Sequence, residues 1–316
     1  MADVLVIVMP CFNEEEVLPE TIQRMSSLLS GMVSEGVVSG KSRLLFVDDG
    51  SKDRTWELLS KASESEPCVC AIRLACNSGH QNALVAGIET SMEYGADMVI
   101  TIDADLQDDI SVIPEMVAKH TDGFDIVYGV RRSREKNTWF KRFTAQSYYK
   151  IMKALGVSLV YNHADYRLLS SSAANGLLSY GEKNLFLRGI VPHLSDNSTS
   201  VYYDIAERKA GTSKYPLKKM LHLAVDGITS FTDKPVKALI WFGLLFLLVA
   251  LGILCYVLVS FFKGNVVSGW SSLMLSLWFI GGCVMIGLGV VGVYIGRIYL
   301  EVKDRPRYFV RTKLIK

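Results

Sequence analysis

Two long stretches without a charged residue constrain the fold of this chain more than any other feature. Residues 238–262 and 270–296 contain no Asp, Glu, Lys or Arg. Each exceeds the roughly 20 residues that cross a ~30 Å hydrocarbon core as a helix. A buried helix of a soluble protein would rarely need a second such stretch so close by. We therefore predict a hairpin of two transmembrane helices.

The charges around these stretches predict their orientation. The connector 263–269 carries one cation, Lys263, whereas Lys234 and Lys237 precede the first stretch and the tail 297–316 is rich in Lys and Arg. Loops rich in Lys and Arg stay on the cytoplasmic side of a membrane. The sequence thus predicts a multi-pass protein of the cell (inner or plasma) membrane, with a cytoplasmic N-terminal domain and a basic cytoplasmic tail.

The juxtamembrane segment 213–237 contains an amphipathic pattern. Apolar residues from Leu217 to Phe231 recur at intervals of three and four, and Lys218, Lys219 and Asp226 lie off that stripe. This pattern is typical of a helix with one apolar face. Such a helix can lie in the headgroup region of the membrane. The alternative, which the pattern supports equally well, is a helix packed on the soluble domain.

The first 212 residues have the alternation of an α/β domain. Short apolar runs predict strands and alternate with longer amphipathic stretches that predict helices. The strands are 4–9, 44–47, 70–74, 98–102 and 125–128, and the helices are 15–29, 54–63, 80–94 and 110–120. This order predicts a doubly wound, mostly parallel sheet with ligands beyond the carboxyl ends of its strands. The run 4–9 lacks a basic flank and predicts a first strand, not a signal peptide.

Composition excludes some classes of partner and metal site. The net charge of +2 gives no reason to expect a nucleic-acid partner. The six cysteines follow no zinc-binding spacing, which favours reduced, buried side chains.

Acidic clusters follow three of the predicted strands. They lie at 13–16, 48–53 and 103–108, and the carboxyl ends of parallel strands meet at one edge of a sheet. In an extended chain Asp103 and Asp105 project to the same side. Two such carboxylates fit Mg²⁺ or Mn²⁺, and ions of this kind commonly bridge to substrate phosphates. The alternative for each cluster alone is loop or helix capping.

Several motifs in this order resemble family 2 inverting glycosyltransferases. They are Pro-Cys-Phe-Asn-Glu at 10–14, Asp-Asp-Gly-Ser-Lys-Asp at 48–53, Asn-Ser-Gly-His-Gln-Asn-Ala at 77–83 and Asp-Ala-Asp-Leu-Gln-Asp at 103–108. More narrowly, Asp-Tyr-Arg-Leu-Leu at 165–169 and Arg-Lys-Ala-Gly-Thr-Ser-Lys at 208–214 resemble polyprenyl-phosphate glycosyltransferases. That group contains dolichol-phosphate mannose synthases and bacterial bactoprenol (undecaprenyl-phosphate) glucosyltransferases. The resemblance implies a Rossmann-like catalytic domain of the glycosyltransferase A type.

The resemblance also implies a role for each matching residue. The nucleotide pocket would include Pro10, Phe12, Glu14, Val47, Asp49, Asp103 and Ala104. Mg²⁺ or Mn²⁺ would be held by Asp103, Asp105 and Gln107. The catalytic set would be Asp105, Asp165, Arg131, Arg208 and Lys214. For Asp165 two roles stay open, a general base or a group that orients Arg167 or another phosphate-binding cation.

The implied reaction is an inverting sugar transfer from a nucleotide sugar to undecaprenyl or another polyprenyl phosphate. The expected donor is UDP-glucose. The alternative donor is UDP-N-acetylglucosamine or another nucleotide sugar. A non-catalytic membrane scaffold of glycan assembly is the alternative from a different class. A processive synthase is disfavoured because the chain has no Gln-x-x-Arg-Trp segment. Glycines in the second stretch permit close helix packing, which suggests a homo-oligomer formed through the membrane helices.

Overall fold

The computed structural model describes residues 2–132, 163–183, 186–204 and 269–316, together with scattered positions between 239 and 262. The chain divides into two units. The first contains the sheet and residues Pro306–Lys316, and the second consists largely of Leu221–Arg305.

Eight strands of the described residues form one sheet in the first unit. In chain order they are β1 Leu5–Cys11, β2 Arg43–Asp48, β3 Val69–Leu74, β4 Met98–Thr101, β5 Ile126–Arg131, β6 His163–Ser170, β7 Ser198–Tyr203 and β8 Val310–Leu314. They lie in the order β7-β5-β6-β4-β1-β2-β3-β8. Only β6 and β8 run antiparallel to their neighbours. The predicted mostly parallel sheet is confirmed.

Helices connect the strands of this sheet. They are α1 Leu18–Ser34, α2 Thr55–Ser65, α3 His80–Tyr94, α4 Ile113–Thr121, α5 Ser171–Leu178 and α6 Leu187–Ile190, with short 3₁₀ turns at Ile110–Val112 and Val191–His193. The four helices predicted in the first 132 residues are all present, and α3 has the predicted bounds.

Helices cover both faces of the central strands. All residues of β1 are buried, as expected for a strand packed on two sides. Its Ile7 and Met9 share a core with residues of α1, whereas Val8 faces α3. A Cβ on Gly87 of α3 would lie 2.2 Å from Cγ1 of Val8. The glycine therefore lets α3 approach the sheet closely and sets the position of its N-terminus.

Strand β6 brings a later part of the chain to the carboxyl edge of the parallel strands. It lies antiparallel between β4 and β5, with Thr101 opposite Arg167. Because β6 runs in the opposite direction, its beginning, and not its end, lies where β4 and β5 end. Asp165 is placed at that edge for this reason.

The C-terminal residues return to the sheet as β8. This strand pairs antiparallel with β3, and the N–H of Ala75 donates to the carbonyl of Phe309 at 2.8 Å. The Lys313 ammonium lies 2.5 Å from a carboxylate oxygen of Glu93 in α3. The segment predicted as a basic tail thus supplies one edge of the sheet.

The second unit contains the long helix α7, Trp270–Val302. It extends beyond the predicted span 270–296. Among the described residues one helical stretch, Phe279–Val302, is long and apolar enough to cross a membrane. The segment 213–237 lies outside the described residues, as does most of the span 238–262, where the described positions are helical. The two-helix hairpin stays a prediction.

Candidate active site

The loops that follow β1 and β2 are joined by hydrogen bonds at the carboxyl edge. The N–H of Asn13 donates to Oγ of Ser51, and its Oδ1 accepts from the N–H of Lys52, both at 2.9 Å. The N–H of Glu14 donates to Oγ1 of Thr55 at 2.9 Å. Since β4, β1 and β2 are neighbours in the sheet, the three acidic clusters lie along one edge, as their spacing in sequence predicts.

Asp49 connects the second cluster to the N-terminus of α3. Its two carboxylate oxygens accept the N–H groups of Ser78 at 2.7 Å and Gly79 at 2.9 Å. Burial raises the pKa of Asp49, and these two hydrogen bonds oppose the rise. The next residue, Gly50, has a φ of +71°, and a Cβ there would lie 2.7 Å from the backbone nitrogen of Asn77. The loop 76–79 is therefore held against the end of β2.

The other residues predicted for the nucleotide pocket differ in exposure. The Phe12 side chain is 42% exposed at the loop after β1, so its ring can stack on a ligand. Pro10, Val47 and Ala104 are buried. Cγ2 of Val47 lies 3.0 Å from the position of a Cβ on Gly87, which puts this side chain beneath α3. The place of these three buried residues in a nucleotide pocket stays a prediction.

The loop that follows β4, residues 103–108, contains Asp103, Asp105 and Gln107. We call this segment the acidic loop. Oδ2 of Asp105 accepts from Nε2 of Gln107 at 2.8 Å, and its Oδ1 accepts from the Gln107 N–H at 3.2 Å. Oδ1 of Asp103 lies 3.6 Å from Nε2 of His80. Burial and the neighbouring carboxylates raise the pKa of Asp103 to about 6, against the opposing effect of His80. The ionised form of Asp103 is therefore disfavoured at this edge, and a bound cation would stabilise it.

The donor chemistry of this loop fits a divalent ion that is shared with a substrate. No group of three or more His, Cys, Asp or Glu side chains in the described part of the chain could hold a metal ion. Mg²⁺ commonly takes one or two carboxylates and completes its shell with water and substrate phosphates. Asp103, Asp105 and the amide oxygen of Gln107 suit that arrangement.

A second group of side chains surrounds Asp165. Its Oδ1 accepts from Nη2 of Arg167 at 2.5 Å, and its Oδ2 accepts from Nη2 of Arg188 at 3.2 Å. Nε2 of His80 lies 3.5 Å from Oδ2. We call these four residues the Asp165 cluster. His80 joins it to the acidic loop, because the same nitrogen faces Asp103.

The cations of the cluster keep Asp165 ionised. Burial acts to raise the pKa of Asp165, but the hydrogen bond from His80 and the charges of Arg167 and Arg188 hold that pKa well below its ordinary value. For His80, burial lowers the pKa, and the hydrogen bond to Asp165 and the charge of Asp103 more than offset this effect. A carboxylate with so low a pKa binds a proton weakly, which disfavours the general-base role.

Asp108, at the end of the acidic loop, links this loop to two other strands of the sheet. Oδ1 of Asp108 accepts from Nη2 of Arg131 at 2.9 Å and from the Tyr203 hydroxyl at 2.5 Å. Burial opposes the charged form of Arg131, but Asp108 raises its pKa overall. Asp108 therefore joins the acidic loop to the ends of β5 and β7. Arg131 has a buried carboxylate partner, and its contact with a substrate phosphate stays a prediction.

The comparison with known sequences assigns the family. Residues 6–178 match the sequence profile described as Glycosyl transferase family 2. The chain is a member of glycosyltransferase family 2. It is 49% identical over 313 residues to YkoT, an uncharacterized glycosyltransferase of Bacillus subtilis (strain 168), covering 98% of this chain and 92% of that protein.

A second relative of this glycosyltransferase carries a more specific name. The SfII prophage-derived bactoprenol glucosyl transferase of Shigella flexneri is 36% identical over 310 residues, 96% of each chain. Among solved structures, glucosyl-3-phosphoglycerate synthase from Mycobacterium tuberculosis in complex with phosphoglyceric acid is 18% identical. It has a TM-score of 0.46 and covers 72% of this chain and 79% of that one. The family assignment rests on the sequence relatives.

Two site residues of this glycosyltransferase were not predicted from the sequence. His80 lies in the motif 77–83, which signalled the family but assigned the histidine no role. Arg188 lies on the short helix α6, and no local pattern marks it. The predicted residues Arg208 and Lys214 lie outside the described residues.

Proposed function

We propose that this glycosyltransferase transfers a sugar from a nucleotide sugar to a polyprenyl phosphate at the cytoplasmic membrane face. UDP-glucose and undecaprenyl phosphate are the proposed substrates, and the lipid-linked sugar would serve modification of cell-envelope glycans. The observation that carries the proposal is the relative named bactoprenol glucosyl transferase, which aligns with 96% of this chain. An alignment over 310 residues extends beyond residues 6–178, which match the family 2 profile, into the C-terminal half of the chain.

The acidic loop supplies the donor side of the proposed site. Phe12 would stack on the base, and the loops held by Asp49 would surround the nucleotide. Asp103, Asp105 and Gln107 would hold Mg²⁺ or Mn²⁺, which provides positive charge beside the diphosphate as it leaves. These residues keep the diphosphate at the carboxyl edge of β4.

The acceptor needs no proton removal in this proposal. A phosphate monoester has a charge of about −1.5 to −2 at neutral pH, so an acceptor oxygen can attack the anomeric carbon directly. The new carbon–oxygen bond forms as the bond to the nucleotide diphosphate breaks, and the electron pair of that bond leaves with the nucleotide. One displacement inverts the anomeric configuration. Arg131, Arg208 and Lys214 are proposed to hold the acceptor in line.

The return of β8 to the sheet supports a two-span anchor. Residues of β1–β7 and residues 310–314 belong to one sheet, so both ends of the chain lie on the same side of any membrane. If α7 crosses the membrane once, the chain between β7 and α7 must cross it an odd number of times. The charge-free stretch 238–262 is the segment suited to that crossing.

The test is an assay of membranes that contain the full chain. Membranes are incubated with undecaprenyl phosphate and radiolabelled UDP-glucose or UDP-N-acetylglucosamine, and lipid-soluble label is measured with and without EDTA. We expect transfer from UDP-glucose, its loss with EDTA and its recovery with Mg²⁺ or Mn²⁺. Transfer from the other donor alone would change the assigned sugar. No transfer from any nucleotide sugar would favour the scaffold.

A further inference from the structure

The sugar ring of the donor lies between two phosphate-binding regions in the proposed reaction. A direct displacement places the anomeric carbon between the leaving oxygen of the diphosphate and the attacking oxygen of the acceptor phosphate. The acidic loop serves the diphosphate, and Arg131 is proposed for the acceptor. Neither group recognises a sugar hydroxyl, and an enzyme that selects one sugar needs a group that does so.

The order of the strands locates this sugar along the carboxyl edge of the sheet. Strand β6 lies between β4 and β5, so its beginning lies between the acidic loop and Arg131 at the end of β5. Two strand spacings of about 4.8 Å separate β4 from β5, which leaves room for one sugar ring. The His80 side chain lies at this place, because its Nε2 is 3.6 Å from Oδ1 of Asp103 and 3.5 Å from Oδ2 of Asp165.

The backbone at His80 is fixed, whereas its side chain is accessible. The N–H of the preceding residue, Gly79, donates to Asp49 at 2.9 Å. Oε1 of the following residue, Gln81, accepts the N–H of Leu187 at 3.2 Å. The His80 side chain is 44% exposed. A side chain that is held in place before a ligand arrives loses little conformational freedom on binding.

The neighbouring carboxylate determines which ring nitrogen of neutral His80 carries the proton. The ionised Asp165 can only accept a hydrogen bond, so Nε2 of His80 is the donor and Nδ1 is then an acceptor. Within the described part of the chain Nδ1 has no hydrogen-bond partner. A sugar hydroxyl both donates and accepts, so it can bond to Nδ1 whether the ring is neutral or charged. A phosphate oxygen would suit only the charged ring.

We propose that His80 binds a hydroxyl group of the donor sugar and that Asp165 orients its imidazole ring. The proposal deepens the proposed function and rests on it. Phe12 and the acidic loop are proposed to bind the base and the diphosphate, which all UDP-sugars share. His80 contacts the part in which these donors differ. It is therefore a specificity-determining residue for the sugar.

The test compares the binding of UDP-glucose with that of UDP to the full-length protein, with Mg²⁺ present. His80→Leu removes both ring nitrogens, and His80→Gln keeps a side-chain N–H group for Asp165, which guards against loss of the fold. His80→Leu should raise the Kd for UDP-glucose about three- to tenfold, the size expected for one hydrogen bond between uncharged groups. The Kd for UDP should stay within about twofold of wild type.

The matched control is His120→Leu. His120 is a partly buried histidine of α4, and its Nδ1 lies 3.0 Å from the carbonyl oxygen of Phe124. Its replacement should leave both dissociation constants unchanged, and thermal unfolding is measured for all three variants. An equal rise in the Kd for UDP and for UDP-glucose would assign His80 to the diphosphate or the ribose and overturn the proposal. Unchanged UDP-glucose binding in both His80 variants would overturn it as well.

UDP-glucose analogues that each lack one sugar hydroxyl identify the contact. One analogue should bind wild type about three- to tenfold more weakly than UDP-glucose does, and should bind His80→Leu and wild type equally well. The other analogues should lose the same factor in His80→Leu as UDP-glucose does. If every analogue loses that factor, then His80 contacts no hydroxyl of the sugar and the proposal is wrong.

These binding measurements need no acceptor, so they separate this proposal from the proposed function. If UDP-glucose binding depends on His80 as expected but no lipid-linked sugar forms, the proposed function fails and the His80 site stands. If wild type forms lipid-linked glucose and His80→Leu binds UDP-glucose as wild type does, only the His80 site fails. If wild type does not bind UDP-glucose, both fail.

Discussion

The acidic loop and the Asp165 cluster lie at the same sheet edge but are built in different ways. The acidic loop consists of consecutive residues, and its main internal contact joins Asp105 to Gln107, two positions along the chain. The Asp165 cluster gathers side chains from α3, β6 and α6. One region holds excess negative charge and favours a cation, and the other holds its own cations. A reaction between two phosphate compounds needs both kinds of surface.

The largest expected effect is on the acidic loop. Asp105→Ala removes the carboxylate that Gln107 contacts, and we expect transfer to fall at least 100-fold, since loss of an electrostatic stabiliser costs about 10²–10³ in rate. Asp122→Ala, at the exposed end of α4, is the control. Radiolabel transfer and thermal unfolding of both variants check the result. Near-normal transfer by Asp105→Ala would remove this residue from the catalytic machinery.

The Asp165 cluster should differ by depending on a buried ion pair for stability. Arg167→Met takes away the partner at 2.5 Å from Asp165 and leaves the carboxylate with fewer cations. Breaking a buried pair costs about 3 kcal/mol or more, so chemical denaturation should show a loss of that size. If Arg167→Met is as stable as wild type, the remaining cations suffice to hold Asp165.

Gly50→Ala tests the loop that leads from the acidic clusters to His80. The substitution forces a side chain to a positive φ and into the backbone of loop 76–79, whereas Gly36 has a similar φ of +72° and open space around it. Both variants carry the cost of about 1–2 kcal/mol for a side chain at positive φ. We expect Gly50→Ala to cost about 2 kcal/mol more than Gly36→Ala, because only at Gly50 does the new Cβ overlap neighbouring backbone atoms, and such overpacking costs about 1–3 kcal/mol. Denaturation and UDP binding measure the difference. An equal loss of stability in Gly50→Ala and Gly36→Ala would mean that loop 76–79 moves to accommodate the new side chain at no cost in free energy.

Tyr203→Phe should have the smallest effect. It removes the hydroxyl that donates to Asp108 but leaves the Arg131 pair and the edge-to-face contact with Tyr166, whose ring centre is 5.3 Å away. We expect a loss of about 1 kcal/mol in stability and transfer within a few-fold of wild type. A loss of transfer as large as that of Asp105→Ala would mean that the hydrogen bond between Tyr203 and Asp108 is needed for catalysis.

The sequence predicts those parts of the molecule that depend on neighbours along the chain. The five parallel strands and four helices of the first 132 residues follow from apolar periodicity, and Asp103 and Asp105 follow from their place after β4. The position of β6 between β4 and β5 depends on pairing between distant segments, which no local pattern encodes. Arg188 could not be predicted for the same reason, because its partner Asp165 is contributed by β6 and lies 23 residues earlier in the chain.

The late position of β8 in the chain has a consequence for biosynthesis. Strand β3 has β2 on one side and β8 on the other, and residues 310–314 are synthesised long after β3. Until then the outer hydrogen-bonding groups of β3 are unpaired, and an open strand edge promotes aggregation. A chaperone or the membrane surface would have to shield this edge during translation. A chain ended at residue 212 would never close it.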